Sequence, residues 1–232
     1  MIIEIINKII TKLIKRKPIM MSEYGMIKKS VLDLGYKWFE GGDYDLNIIW
    51  VRMNDNVNNK MDDYCLTCYT VQGVEYVTQV RANTLPGTYG GLYNPVTVRG
   101  ITGTAVVQPQ QVLGAYHYNE IGFPKNDYNP FHSSYFSPTK SIKIWRDNNR
   151  DDEIDYMQPE DSPPSDVICW HFQGEPISSP GHNPWSIGCL GTMLSDWRDI
   201  VIPIIRKAIA IWGTNFTLTL IENKDLIIPI TK

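Results

Sequence analysis

Residues 64–82 constrain the fold of this chain more than any other stretch. Two runs rich in β-branched and aromatic residues, 64–71 and 74–82, are separated only by Gln72-Gly73, and that arrangement predicts an antiparallel hairpin with a tight turn. Further strands are expected at 46–53, 103–107, 112–118, 142–145, 167–171 and 216–220. Residues 54–63 form a polar loop in this reading, and 122–138, with Pro124, Pro130, Pro138 and several aromatics, a long irregular one. One stretch changes period: Trp197, Ile200, Val201, Ile204, Ile205, Ala208, Ile209 and Trp212 fall at i, i+3, i+4, i+7. It predicts an amphipathic helix capped by Ser195 or Asp196, stopped by Gly213 and kinked at Pro203. The expectation is a mainly β protein: a single β-rich, sandwich-like domain over residues 41–232, with a helix after Cys189. A chain of 232 residues is long enough for one substantial core.

Residues 1–40 read as an N-terminal extension. Ile2, Ile5, Ile6, Ile9, Ile10, Leu13 and Ile14 share one helical face, with Lys12, Lys15, Arg16 and Lys17 nearby and Pro18 ending the run. Such an amphipathic helix can dock on a partner, lie on a membrane surface, or pack on its own domain. Glu4, Asn7 and Lys8 interrupt its apolar run, and no small-residue cleavage site follows, so no signal peptide is expected. No segment is apolar enough to predict a transmembrane helix. A net charge of −3 gives no basic face for nucleic acid. Thirteen Tyr and seven Trp suit β-sheet packing, and also the walls of a peptide or sugar cleft.

Four cysteines, irregularly spaced, do not make a disulfide framework. Cys65 and Cys68 form a CxxC, but on a strand they face opposite sides, which suits neither a zinc site nor a redox pair. Cys169 reads as a buried strand residue. Cys189 differs from these. It follows Ser186-Ile187-Gly188, and His171 lies eighteen residues upstream. A thiol needs a neighbouring base to become a thiolate near neutral pH, and a Gly beside it leaves the backbone free to offer N–H groups to an oxyanion.

His171, the segment to Ser186, and Gly188-Cys189 followed by an apolar residue resemble the active-site signature of L,D-transpeptidase catalytic domains. The resemblance covers about twenty residues. It implies cysteine acyl-enzyme chemistry on peptidoglycan stem peptides, by hydrolysis or by transpeptidation, with no cofactor required for catalysis. By position, Cys189 is the nucleophile, His171 its base, and the Gly188 and Cys189 amides line the oxyanion hole. Ser186 is a further catalytic-site candidate, which donates to the substrate or holds the turn. His182 and Trp185 are substrate-binding candidates, and His182 can stand in for the second His that the family places where this chain has Ile187. Phe172-Gln173-Gly174 also departs from the family, where a Gly follows the first His directly. A cytoplasmically made wall enzyme without an export signal implies release on lysis or packaging in a virus particle, so a phage wall hydrolase fits this reading. The alternative from another class is a virion-associated structural or binding protein on the same fold without the chemistry, and Ile187 is the feature that favours it.

A second constellation is acidic. Asp147, Asn149, Asp151 and Asp155 take the alternate spacing of a calcium loop, with Ile154 where such loops pack inward. Gly is missing at the turn position and Gln158 stands for the closing Glu, so structural calcium and a solvated acidic turn both remain readings. His117 and His132 lack the HxxxH or HxH spacing of a zinc hydrolase.

Overall fold

The computed structural model describes residues 21–53, 61–87, 91–92, 95, 97–121, 134–151, 153–173 and 186–230. The strand-rich reading holds throughout, and the hairpin at its centre is the longest uninterrupted ladder: β2 (Asp63–Val71) pairs with β3 (Val74–Asn83) across Gln72-Gly73, after a first strand β1 (Asn47–Arg52). Both turn residues are left-handed, which a two-residue hairpin turn requires. Then come a small hairpin of β4 (Thr97–Val98) and β5 (Ile101–Thr102), and the longer strands β6 (Thr104–Val107), β7 (Gln110–Asn119), β8 (Tyr135–Pro138) and β9 (Ile142–Asp147). The chain ends its sheets with β10 (Glu160–Ser162), β11 (Trp170–Gln173), β12 (Leu190–Met193) and β13 (Asn215–Glu222). The sheet is not an open sandwich. Eight strands close into a barrel in the order β1-β13-β7-β8-β11-β12-β3-β2, and a separate sheet β10-β9-β6 packs beside it.

Strand alternation decides which residues fill the barrel. Ile48, Trp50, Cys65, Val80, Tyr116, Phe136, Trp170, Leu190, Leu218 and Leu220 belong to one buried cluster. Aromatics dominate its middle: Phe136 stacks on Trp170 with centroids 3.9 Å apart, and Trp50 and Trp197 meet Trp170 edge-on. Core packing, not a cleft, therefore accounts for much of the aromatic content. The opposite face of β1, β2 and β13 carries Ile49, Val51, Leu66, Cys68 and Ile221, covered by α1 (Glu23–Asp33) through Tyr24, Ile27 and Val31. Cys65 and Cys68 thus lie in different clusters, as expected for residues three apart on a strand, and burial pushes both thiols up. Ser22 caps α1 by accepting the Gly25 amide at 3.0 Å. The amphipathic run at 2–14 lies outside the described residues.

After Cys189 the chain forms strand β12 before any helix. Then α2 (Leu194–Asp196), a π-helical turn (Trp197–Val201) and α3 (Ile202–Trp212) run on without a break. Pro203 explains the π turn. It has no N–H for the carbonyl four residues back, and just before it the Ile202 amide reaches the Trp197 carbonyl, five residues back. The helix closes on the barrel through Trp197, Val201, Ile202, Ile205 and Ala208 and stops at Gly213, as expected. No described helix is long and apolar enough to cross a membrane.

Two features missed by the sequence reading shape the region around Cys189. Strand β8 emerges from the end of the stretch assigned as irregular. The strand expected at 167–171 begins later, at Trp170, because residues 164–166 turn as a 3-10 helix after Pro163-Pro164 and Val167 is left-handed at φ 56°. A β-branched residue there is strained, and an ionic knot holds it. Buried Arg146 pairs with Glu160 at 2.6 Å and with Asp166 at 3.1 Å, and Arg99 adds a second guanidinium to Asp166 at 2.9 Å. Arg99, then Ser162, holds the Asp166 carboxyl below the usual range against the effect of burial, so the knot persists as pH falls towards the ordinary carboxylate range and loosens only below it. Removing one partner of a buried pair strands the other charge. Arg146→Met is expected to lower unfolding free energy by about 3 kcal/mol in a denaturant melt, and a loss below about 1 kcal/mol would show that Arg99 suffices alone.

Candidate active site

The parallel pairing of β11 and β12 brings the two sequence-predicted residues together. Trp170 faces Leu190 and His171 faces Gly191, so one step earlier Cys169 lies opposite Cys189. The Leu190 amide donates to the Cys169 carbonyl at 2.9 Å and fixes that register. Trp170 and Phe172 point into the barrel, which leaves Cys169, His171 and Gln173 on the other face beside Cys189 and Gly191. The His171 imidazole lies close enough to Cys189 to help lower its thiol. Nδ1 of His171 sits 2.5 Å from the Phe172 carbonyl. A carbonyl only accepts, so Nδ1 carries a proton and Nε2 is the nitrogen left to exchange one with the sulfur.

Cys189 is half-buried, whereas Cys169 is fully buried. The Cys169 S–H donates to the Cys189 sulfur, and this bond contributes most to holding the Cys189 thiol well below its ordinary value. Burial opposes it, and the hydrogen bond and charge of His171 and the Cys169 backbone amide add to it. Cys169 moves the other way, pushed up by the same hydrogen bond and by burial. The two shifts are opposite, so Cys189 is the thiol of the pair that ionises first. Beneath the pair, the Tyr116 hydroxyl donates to the Ile168 carbonyl at 3.1 Å, and burial, then the two cysteines, keep that phenol protonated.

The turn before Cys189 is rigidly placed. Gly188 has φ 123°, and a Cβ there would sit 2.7 Å from the Ala105 carbonyl oxygen, so the turn reaches β6 only with Gly. Ser186 Oγ donates to the Cys189 carbonyl at 3.1 Å and accepts the Gly188 amide at 3.3 Å, which makes Ser186 a holder of the turn. The Gly188 N–H is thereby turned towards Ser186 instead of lying free for an oxyanion. The Ser186 carbonyl in turn accepts the Gly87 amide at 2.8 Å. Ile187, where the family has its second His, is exposed. His182 and Trp185 lie outside the described residues.

Gln173 is the site residue that sequence reading passed over. Its Nε2 donates to the Cys189 carbonyl at 3.0 Å, its Oε1 accepts from Asn83 at 3.1 Å, and its side chain crosses Gly191 where any Cβ would overlap it. Its period-two spacing from His171 was the available signal. The acidic turn stands apart from this site. Asp151 and Glu153 amides donate to Asn149 and Asp151 side chains at 3.4 and 3.0 Å, and Asn149 also bonds Asp155. Asp147 is fully buried with its carboxyl pushed up, chiefly by burial; one oxygen accepts the Asp155 amide at 2.8 Å, and Oδ1 has no hydrogen-bond partner among the described residues. Among the described residues, no three His, Cys, Asp or Glu side chains converge to hold a metal.

Compared with family models, with curated proteins and with solved structures, the chain finds no match in any of the three.

A lowered Cys189 leaves a direct signature. A free thiol titrating near ~8.5 loses roughly tenfold in alkylation rate per pH unit below that value. Alkylation of Cys189 by iodoacetamide, read by peptide mass spectrometry, is expected to stay nearly flat from about pH 8 to about pH 6. Cys169→Ala removes the largest stabiliser of the thiolate and moves the profile to higher pH, and His171→Ala moves it less. A wild-type profile that falls like a free thiol would refute the thiolate.

Proposed function

We propose that the chain is a cysteine acyl-transfer enzyme acting on peptidoglycan stem peptides, as a hydrolase when water is the acceptor and as a transpeptidase when an amine is. The observation that carries the reading is the placement of His171 and Cys189 on one face of two adjacent parallel strands, where the Cys189 thiol is held below its ordinary value. In that chemistry the Cys189 sulfur attacks the carbonyl carbon of the scissile amide, and the electron pair moves to the oxygen. Protonated His171 then gives its proton to the leaving amine. The acyl group passes to the acceptor, whose proton His171 takes, and the thiolate returns. The Cys189 amide is the nearer candidate to stabilise the oxyanion, because Ser186 engages its Gly188 neighbour. A wall hydrolase released on lysis or carried in a virus particle is the setting we favour.

Cys189→Ala is expected to abolish release or exchange of amino acids from purified peptidoglycan while leaving the melting curve unchanged. His171→Ala should cost roughly 10²–10⁴-fold in rate, the usual contribution of a general acid–base group. An inactive wild-type protein whose Cys189 alkylates no faster than a free peptide thiol would instead favour the virion-associated structural or binding protein.

We further propose structural calcium at Asp147, Asn149, Asp151 and Asp155, on the strength of the buried, unpartnered Asp147 Oδ1. A cation there would take that oxygen and relieve the carboxylates that crowd it. Chelation is expected to lower the melting temperature and excess calcium to restore it by mass action. An identical melt under both conditions leaves the turn closed by its own hydrogen bonds alone.

A further inference from the structure

Cys169 and Cys189 occupy directly opposed positions one residue before paired parallel strands, on the same face, and the Leu190 amide holds that register by donating to the Cys169 carbonyl at 2.9 Å. Neighbouring strands lie about 4.8 Å apart, inside the range of roughly 4.4–6.8 Å that Cα atoms span across a disulfide. Both thiols are free in this structure. One of them, Cys189, is half-buried and within reach of a small solute, whereas Cys169 is fully buried.

We propose that Cys169 and Cys189 form a reversible intramolecular disulfide under hydrogen peroxide, a modification that retires the nucleophile and protects it from irreversible oxidation. The Cys189 thiolate attacks one peroxide oxygen: an S–O bond forms, the O–O bond breaks, and the departing hydroxide takes a proton from His171 to leave as water. The product is the Cys189 sulfenic acid. Cys169 then gives its proton to His171 and its sulfur attacks the Cys189 sulfur. The S–S bond forms, the S–O bond breaks, and the leaving hydroxide recovers the proton from His171 as a second water. Two thiols and one peroxide thus give one disulfide and two waters. Attack needs little movement, because the two residues face each other across adjacent strands.

The inference rests on the assembled His171–Cys189 site but not on the peptide chemistry proposed for it, and its readout is a mass change, so the two can fail separately. The full chain is treated with a small molar excess of hydrogen peroxide, quenched with an alkylating agent and mapped by mass spectrometry without reductant. The expected result is a product lacking two hydrogens, a cross-linked peptide joining Cys169 to Cys189, alkylation of Cys65 and Cys68 only on denaturation, and full recovery with dithiothreitol. Accumulation of Cys189 sulfinic acid with Cys169 still alkylatable would overturn it, as would a cross-link between two chains. Cys169→Ser keeps a hydroxyl donor beside the sulfur but cannot close the bond. In that variant peroxide is expected to carry Cys189 on to the sulfinic acid, past recovery by dithiothreitol. A Cys169→Ser protein that still shows a fully reversible response would also overturn it.

Discussion

The parallel register of β11 against β12 is the constraint on which the rest of the site depends. A single hydrogen bond, from the Leu190 amide to the Cys169 carbonyl, belongs to a ladder that faces Trp170 and Phe172 inward onto the aromatic core. A slip of one residue would turn those rings outward and bury His171 in their place. The register is therefore specified by hydrophobic burial, and the site inherits its geometry from it. Parallel strands also need a crossover of a dozen or more residues, which is why His171 and Cys189 are so far apart in the chain and neighbours in space.

Around that ladder, each supporting contact is made at a place where the backbone is costly to hold. Val167 sits in a left-handed conformation, and its carbonyl lies 3.7 Å from the Cys189 sulfur. The Arg146–Glu160–Asp166–Arg99 knot stands directly before it and fixes the turn from the other side of the sheet boundary. Gly188 approaches the Ala105 carbonyl, and Gly191 leaves room for Gln173 to reach over the strand to Cys189. The left-handed turn at Val167 and the missing side chains at two glycines together let β6, β11 and β12 close in around Cys189. Such strain persists only where the surroundings over-determine it, and here an ion-pair network and a buried amide network do so.

What was legible in the sequence was local. Alternation located β1, β2, β3, β7 and β13 to within a few residues, Gln72-Gly73 fixed the central hairpin, and the i, i+3, i+4 spacing found the helix ending at Gly213. His171 and Cys189 were legible as a pair from motif spacing. What escaped was set by tertiary contact. Barrel closure depends on β1 meeting β13 from the far end of the chain, a parallel pairing that no local pattern carries. Strand β8 escaped because its few residues follow a Pro-rich stretch, and β12 because its small residues lack the bulk that marks a strand. Cys169 is buried, as its place beside the strand implies, but no local pattern carries the fact that it faces another cysteine across the sheet.

That neighbour also bears on Ile187. A site that lacks a second histidine has less positive charge with which to hold a thiolate, and an exposed isoleucine contributes none. Here the leading stabiliser is an S–H donor on the adjacent strand, with His171 second. A thiol donor carries no charge, so it lowers the nucleophile without placing a cation between the sulfur and an incoming carbonyl. It also ties two opposite properties to one residue. The thiol that Cys169 keeps is what lowers Cys189 most, and its sulfur faces Cys189 across the adjacent strand if Cys189 is oxidised. A hydroxyl at position 169 would supply the first property without the second, so the identity of that one atom separates thiolate stabilisation from disulfide capture.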